Sequence, residues 1–135
     1  MNNENKIIIY QVFTRLFGNN NNHCVYNGDI VTNGCGKMAD FTLKALSEIK
    51  KLGTTHIWYT GIIEHATQTD YRRYNISPDH PAIVKGKAGS PYAIKDYYDV
   101  DPDLANDIPE RMREFENLVR RTHRAGLKVI IDFVP

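Results

Sequence analysis

Residues 107–135 read DIPERMREFENLVRRTHRAGLKVIIDFVP, and this stretch decides the fold class. Asp107 stands where a helix N-cap belongs, Pro109 fits a first helical turn, and Glu110 complements the dipole there. Met112, Phe115, Leu118, Val119 and Thr122 recur at helical spacing, so one face is apolar. Arg120, Arg121, His123 and Arg124 crowd the end where positive charge is favoured, and Gly126 stops the helix. Residues 127–134 then form an apolar run rich in β-branched residues, which predicts a strand. A helix leading at once into a buried strand is half of a βαβ unit.

The same alternation extends toward the N-terminus. Residues 7–13 (IIIYQVF) predict a first strand, and their near-continuous apolarity predicts burial on both faces, as in a parallel sheet. A polar loop rich in Asn and Gly follows, over residues 18–36. Asp40 is the expected cap of a helix whose apolar face carries Ala45, Leu46, Ile49 and Leu52, with Lys44, Glu48 and Lys51 opposite and Gly53 as terminator. Residues 55–60 (THIWYT) predict the second strand. Residues 61–106, with Pro78, Pro81, Pro91 and Pro102, read as one long irregular segment of the kind that carries function in a compact fold.

Strand, helix, strand, helix, strand implies α/β architecture with parallel βα units. A doubly wound sheet and a TIM barrel both satisfy it. No Gly-x-Gly-x-x-Gly follows any strand, which counts against a dinucleotide fold. The long segment follows the C-terminal end of a strand, and Asp132 sits near the end of another, the two placements a barrel uses for its active site. A (β/α)8 barrel takes roughly 250 residues. The 135 residues here supply three strands, so they are expected to be a piece of a larger domain, or a fragment unlikely to fold alone.

Composition narrows the partners. Hydrophobic residues make up 41% and charged residues 24%, with a net charge of +1, which attracts neither nucleic acid nor an anionic membrane. No apolar run is long enough to span a bilayer. Residues 1–6 are polar and lack a signal-peptide pattern, so a cytoplasmic location is expected, or a secreted or periplasmic one if a signal has been removed. Cys24 and Cys35, with His23 nearby, fall short of a four-ligand zinc site and read as unpaired thiols in a loop rather than a disulfide.

Three sharper readings compete with bland ones. Asp99, Asp101, Asp103 and Glu110 match positions 1, 3, 5 and 12 of an EF-hand loop, but Leu104 replaces the required Gly and Pro102 interrupts it, so a turn and an acidic helix start are expected. Asn19, Asn21, Asn27 and Asp29 offer oxygens with little charge, and read as a polar loop rather than a metal site. Glu64 and His65 read as loop surface or a site pair, His56 as a packed strand residue, and Asp70 as a further cleft candidate. No Gly-x-Ser-x-Gly supports a serine triad.

Three segments carry a family resemblance. Residues 9–17 (IYQVFTRLF) resemble the first barrel strand of glycoside hydrolase family thirteen, the α-amylase family. Residues 90–102 (SPYAIKDYYDVDP) are similar to that family's loop before the second helix, and residues 126–135 to the run into its first conserved region. The resemblance implies that Tyr92 stacks on the sugar ring beside the cleaved bond, because an aromatic face matches the apolar face of a pyranose. It implies that Asp132 is the Asp of the first conserved region, which organises its neighbours and transfers no proton. The resemblance implies that residues 1–135 are the N-terminal part of a catalytic (β/α)8 barrel, truncated after the third strand; the family's catalytic carboxylates lie on the fourth, fifth and seventh strands, so no catalytic residue is expected within residues 1–135. An asparagine and a histidine are expected to follow Pro135, the former a common calcium ligand in the family. No cofactor is expected in this chain itself, and calcium is a possibility for a full-length protein.

The activity so implied is retaining hydrolysis or transglycosylation of α-linked glucans such as starch, maltodextrin or α-1,4/α-1,6 glucosides. The alternatives are a non-catalytic amylase-like carbohydrate-binding or partner subunit, and an unrelated βα enzyme. Members that trim single sugars often carry Asp three residues before the stacking tyrosine, where this chain has Gly89, which favours endo-action or a different end clamp. Pro91 stands in place of the usual Gly. The sequence leaves oligomeric state open.

Overall fold

A computed structural model describes residues 6–135. Three parallel strands, β1 (Ile9–Phe13), β2 (His56–Thr60) and β5 (Lys128–Ile131), form a sheet in the order β1-β2-β5. Gln11, Trp58 and Ile130 lie abreast across it, as do Tyr10, Ile57 and Val129. Helices α3 (Leu43–Lys51) and α4 (Arg111–Arg124) make the two crossovers, as the alternation predicts. Two single-turn helices follow β1: α1 (Thr14–Phe17) directly after the strand, and α2 (Ile30–Asn33) within the region read as loop.

The core sits between one face of the sheet and the helices. Val12, Ile57 and Tyr59 from the sheet meet Phe41, Leu46, Ile49 and Leu118. Tyr59 is fully buried, its hydroxyl lies 2.7 Å from Thr122 Oγ1, and burial pushes its pKa up to about 12. The opposite face carries Ile9, Gln11 and Phe13, all exposed. Burial on both faces is therefore not seen within this chain: β1 alternates, and a single layer of helices covers one side.

Helix termini differ from expectation in an instructive way. Thr42, not Asp40, caps α3, its Oγ1 accepting from Ala45 N at 3.2 Å. Asp40 instead ends a one-turn 3-10 helix, Met38–Asp40, and accepts from Lys37 N at 2.6 Å. Asp107 makes no side-chain cap either, because a 3-10 turn, Ile108–Glu110, with Pro109 inside it, leads directly into α4. Arg121 does more than complement the dipole: it donates to the carbonyls of Phe41 (3.0 Å) and Met38 (2.9 Å), tying α4 to the approach of α3.

Residues 61–106 are not structureless. Strand β3 (Ile63–His65) pairs antiparallel with β4 (Ile94–Val100), with an irregular register around Glu64. Ile94, Tyr97, Tyr98 and Val100 supply β-forming residues that three interspersed charges and the upstream prolines obscure in the sequence.

Candidate functional site

The ribbon of β3 and β4 brings Tyr92 to the C-terminal end of the parallel sheet. Tyr92 precedes β4 in a turn held by its own N–H donating to Ser90 Oγ at 3.2 Å, and its side chain is half-exposed. It lines a cavity of about 440 Å3 together with Asp79, Lys95, Tyr97 and Val134. An aromatic wall with a few polar groups in a concave space suits a sugar. Asp132 lies directly after β5 and is not among the residues lining that cavity, although Val134 and Pro135 are. Its Oδ1 accepts from Trp58 Nε1 at 2.8 Å, while its Oδ2 is buried with no hydrogen-bond partner among the described residues.

Two residues that the sequence did not single out hold this end together. Tyr97 of β4 packs its ring 5.3 Å from Phe133, and its hydroxyl accepts from Val134 N at 3.1 Å. Trp58 of β2 reaches Asp132 across the sheet. Both lie at alternating positions of aromatic-rich strands, but only the strand register shows what they face.

Gly89 has a structural reason. Its φ is +78°, and a Cβ there would stand 1.8 Å from the Ala66 carbonyl oxygen. No side chain fits, so an acidic clamp at this position is sterically excluded.

Glu64 and His65 correct the loop-surface reading: both belong to β3 and are buried. They do not form a pair in the Tyr92 cavity. Glu64 Oε1 lies 3.7 Å from Lys95 Nζ, which is 3.1 Å from Asp79, and burial raises the Glu64 pKa. His56 is partly buried beside the Thr55 hydroxyl (2.7 Å), and Asp70 is exposed and paired with Arg72.

His65 belongs to a second, buried cluster. Its Nε2 lies 3.2 Å from the Ala88 carbonyl and 3.6 Å from Asp101 Oδ2. Asp101 and Asp103 are both fully buried, and Asp103 N donates to Asp101 Oδ1 at 2.9 Å. Arg15 pairs with Asp103, and Tyr71 donates to its Oδ1 at 2.5 Å. Asp99 forms a bidentate pair with Arg111 at 2.6 and 2.9 Å. The EF-hand-like spacing thus serves ion pairs rather than a calcium loop.

The asparagine-rich loop is likewise committed internally. The Oδ1 atoms of Asn19, Asn21 and Asn33 accept from backbone N–H groups of the same loop, and Asp29 caps α2 through Thr32 N at 2.8 Å. Among the described residues no group of three His, Cys, Asp or Glu side chains is placed to hold a metal ion. Cys24 and Cys35 are both free thiols, and burial pushes the Cys35 pKa up to about 11.

Asp101 and His65 pull stability in opposite directions with pH. Burial beside Asp103 raises Asp101 well above its ordinary 3.8, so its contribution is present at acid pH and lost as pH rises through the folded value. Burial lowers His65 from its ordinary 6.5, so its contribution is present above 6.5 and lost as pH falls toward the folded value. In the intact protein, His65→Gln should leave stability falling more steeply with rising pH from 3.8 upward, and Asp101→Asn should leave it rising with pH toward 6.5. Urea midpoints across that window measure both slopes, and parallel profiles for the two variants would refute the assignment.

Known proteins share this architecture. The trehalose-6-phosphate hydrolase of Bacillus licheniformis superposes with a TM-score of 0.58 at 25% identity, over 95% of this chain and 17% of that one. A maltogenic α-amylase, AmyB of Thermotoga neapolitana, superposes at 0.54 with 28% identity, over 94% of this chain and 22% of that one. In sequence, Alpha-amylase 2 of Dictyoglomus thermophilum is 27% identical over 128 residues, 95% of this chain and 18% of that protein. The rat amino acid transporter heavy chain SLC3A1 is 46% identical over 44 residues, 33% of this chain and 6% of that protein. The chain thus spans less than a quarter of the length of these relatives, and its parallel sheet with βα units corresponds to the N-terminal part of the TIM barrel of the two solved structures. The family model for the α-amylase catalytic domain matches residues 11–135, from within β1 to the end, and the chain belongs to that family.

Proposed function

We propose that residues 1–135 form the N-terminal part of the catalytic barrel of a retaining α-glucan hydrolase or transglycosylase, acting on starch, maltodextrin or related α-1,4/α-1,6 glucosides. The observation that carries this reading is the family match over residues 11–135, together with an exposed Tyr92 on the wall of a cavity at the C-terminal end of the sheet. Tyr92 stacks on a sugar ring, and Asp132 orders neighbouring groups. The nucleophile, the general acid/base and the transition-state stabiliser come from later strands of the barrel. Calcium belongs to this reading only as a property of the whole protein, and the location that goes with it is cytoplasmic, or secreted or periplasmic where a signal has been removed.

The test is to assay the intact protein on soluble starch and maltooligosaccharides. Release of sugars with retained anomeric configuration is the expected result. Tyr92→Ala should raise KM by about 2- to 10-fold, the loss of one stacking contact, with a smaller change in kcat. An unchanged KM would remove Tyr92 from the site.

One observation favours a second reading, a non-catalytic partner subunit: the 46% identity over 44 residues to transporter heavy chains. None of the helices among the described residues is long and apolar enough to cross a membrane. Binding of maltooligosaccharides or of a partner protein without any cleavage would decide for this reading.

A further inference from the structure

On the sheet face away from the helices, two side-chain hydrogen bonds cross neighbouring strands with the same stagger. Gln11 is level with Trp58 across β1 and β2, and its Nε2 donates to Thr60 Oγ1, two residues further on, at 3.0 Å. Trp58 is level with Ile130 across β2 and β5, and its Nε1 donates to Asp132 Oδ1, again two residues further on, at 2.8 Å. Each strand thus supports the side chain that stands one step nearer the C-terminal end of the next.

We propose that Trp58 is a positioning residue that fixes the rotamer of Asp132 and decides which carboxylate oxygen serves the site. The proposal rests on the reading of Asp132 as a site residue. An aspartate just beyond a strand end has freedom about both side-chain torsions, and exchanging its oxygens changes what it presents. An indole N–H is a donor only, on a rigid ring, so it can engage a carboxylate oxygen but cannot compete with it as an acceptor. The bond is charge-assisted and short, which holds Oδ1 in place. Oδ2 is left buried and without a partner among the described residues. A buried carboxylate oxygen with no donor carries a large penalty unless something comes to it. Trp58 therefore spends Oδ1 on the scaffold and reserves Oδ2 for the site. It acts through Asp132 and need touch no sugar.

A double-mutant cycle on the intact enzyme tests this, with maltoheptaose as substrate. Trp58→Phe removes the donor, and a second variant carries 3-benzothienylalanine at position 58, which keeps the bicyclic shape and lacks the N–H. Each is made in the wild-type and the Asp132→Asn backgrounds, and thermal unfolding checks that each folds. Loss of a hydrogen bond to a charged acceptor predicts that either substitution lowers kcat/KM about ten- to a hundredfold in the wild-type background. In the Asp132→Asn background the same substitution should add less than about a third of that loss on a logarithmic scale, because the two residues act as one unit. Equal losses in both backgrounds overturn the proposal, since a role in packing alone is additive, and so does full activity of the benzothienyl variant. Full activity of Asp132→Asn instead removes Asp132 from the site, and an inert wild-type enzyme removes the activity; either result takes the proposal with it and is told apart from a failure of Trp58 alone.

Discussion

Phe41→Ala is expected to destabilise the fold by about 3–5 kcal/mol. Phe41 is fully buried at the junction of four elements. Its ring stacks on Phe17 of α1 with centroids 4.2 Å apart, and meets Tyr59 of β2 edge-on at 4.9 Å. Its carbonyl oxygen accepts from Arg121 of α4, and Thr42, the cap of α3, follows it in the chain. Truncation would remove the transfer energy of the ring and both aromatic contacts, and leave a cavity that rigid strands on one side cannot collapse. Against a typical stability of about 5–15 kcal/mol, this is a third or more of the total. Phe41→Leu keeps most of the volume and should cost about 1.5 kcal/mol or less. Chemical denaturation of the intact protein measures both. A loss below about 1 kcal/mol for the alanine variant would place the centre of the core elsewhere.

How far such a site can be read from the sequence depends on how local its signals are. Helix α4 and strand β5 are legible because spacing, charge and terminator agree within a few dozen residues. The cap of α3 is a near miss: Asp40 and Thr42 are both good caps, and only the intervening 3-10 turn decides between them. Strand β4 is hidden by Lys95, Asp96 and Asp99 and by prolines on the approach, and β3 is three residues long, too short to show any period. Tyr92 is legible only through the family motif, since a tyrosine after a proline has no signature of its own. The Trp58–Asp132 contact spans 74 residues and the Arg15–Asp103 pair spans 88, and both depend on strand order, which no local pattern encodes. The acidic run at Asp99, Asp101 and Asp103 shows the same limit. Its spacing is visible in the sequence, but its meaning comes from Arg15 and Arg111 arriving from elsewhere.

Arg15→Met should cost about 3–5 kcal/mol at neutral pH, the usual penalty for removing one partner of a buried ion pair. Arg15 is mostly buried, pairs with Asp103, and lies 3.9 Å from Asp101. Without it two fully buried carboxyl groups face each other, and the remaining help is weak: the Tyr71 hydroxyl at 2.5 Å and the Thr67 hydroxyl at 3.4 Å serve Asp103, while lowered His65 stays neutral beside Asp101. Lys37 does not compensate, because its ammonium group donates to the Asp103 backbone carbonyl at 2.6 Å. Methionine fills the space, so the loss is one of charge rather than volume. That distinction fixes the pH dependence. Asp101 is already raised above its ordinary value, and removal of the guanidinium raises it further, so protonation restores stability as pH falls. The variant should therefore approach the wild type in acid and diverge from it as pH rises, and Arg15→Met with Asp103→Asn should recover most of the neutral-pH loss. Urea midpoints near pH 4 and pH 7 separate the causes: a penalty equal at both would mean that Arg15 holds α1 to the 3-10 turn Pro102–Leu104 by packing, and that the buried carboxylates do not depend on its charge.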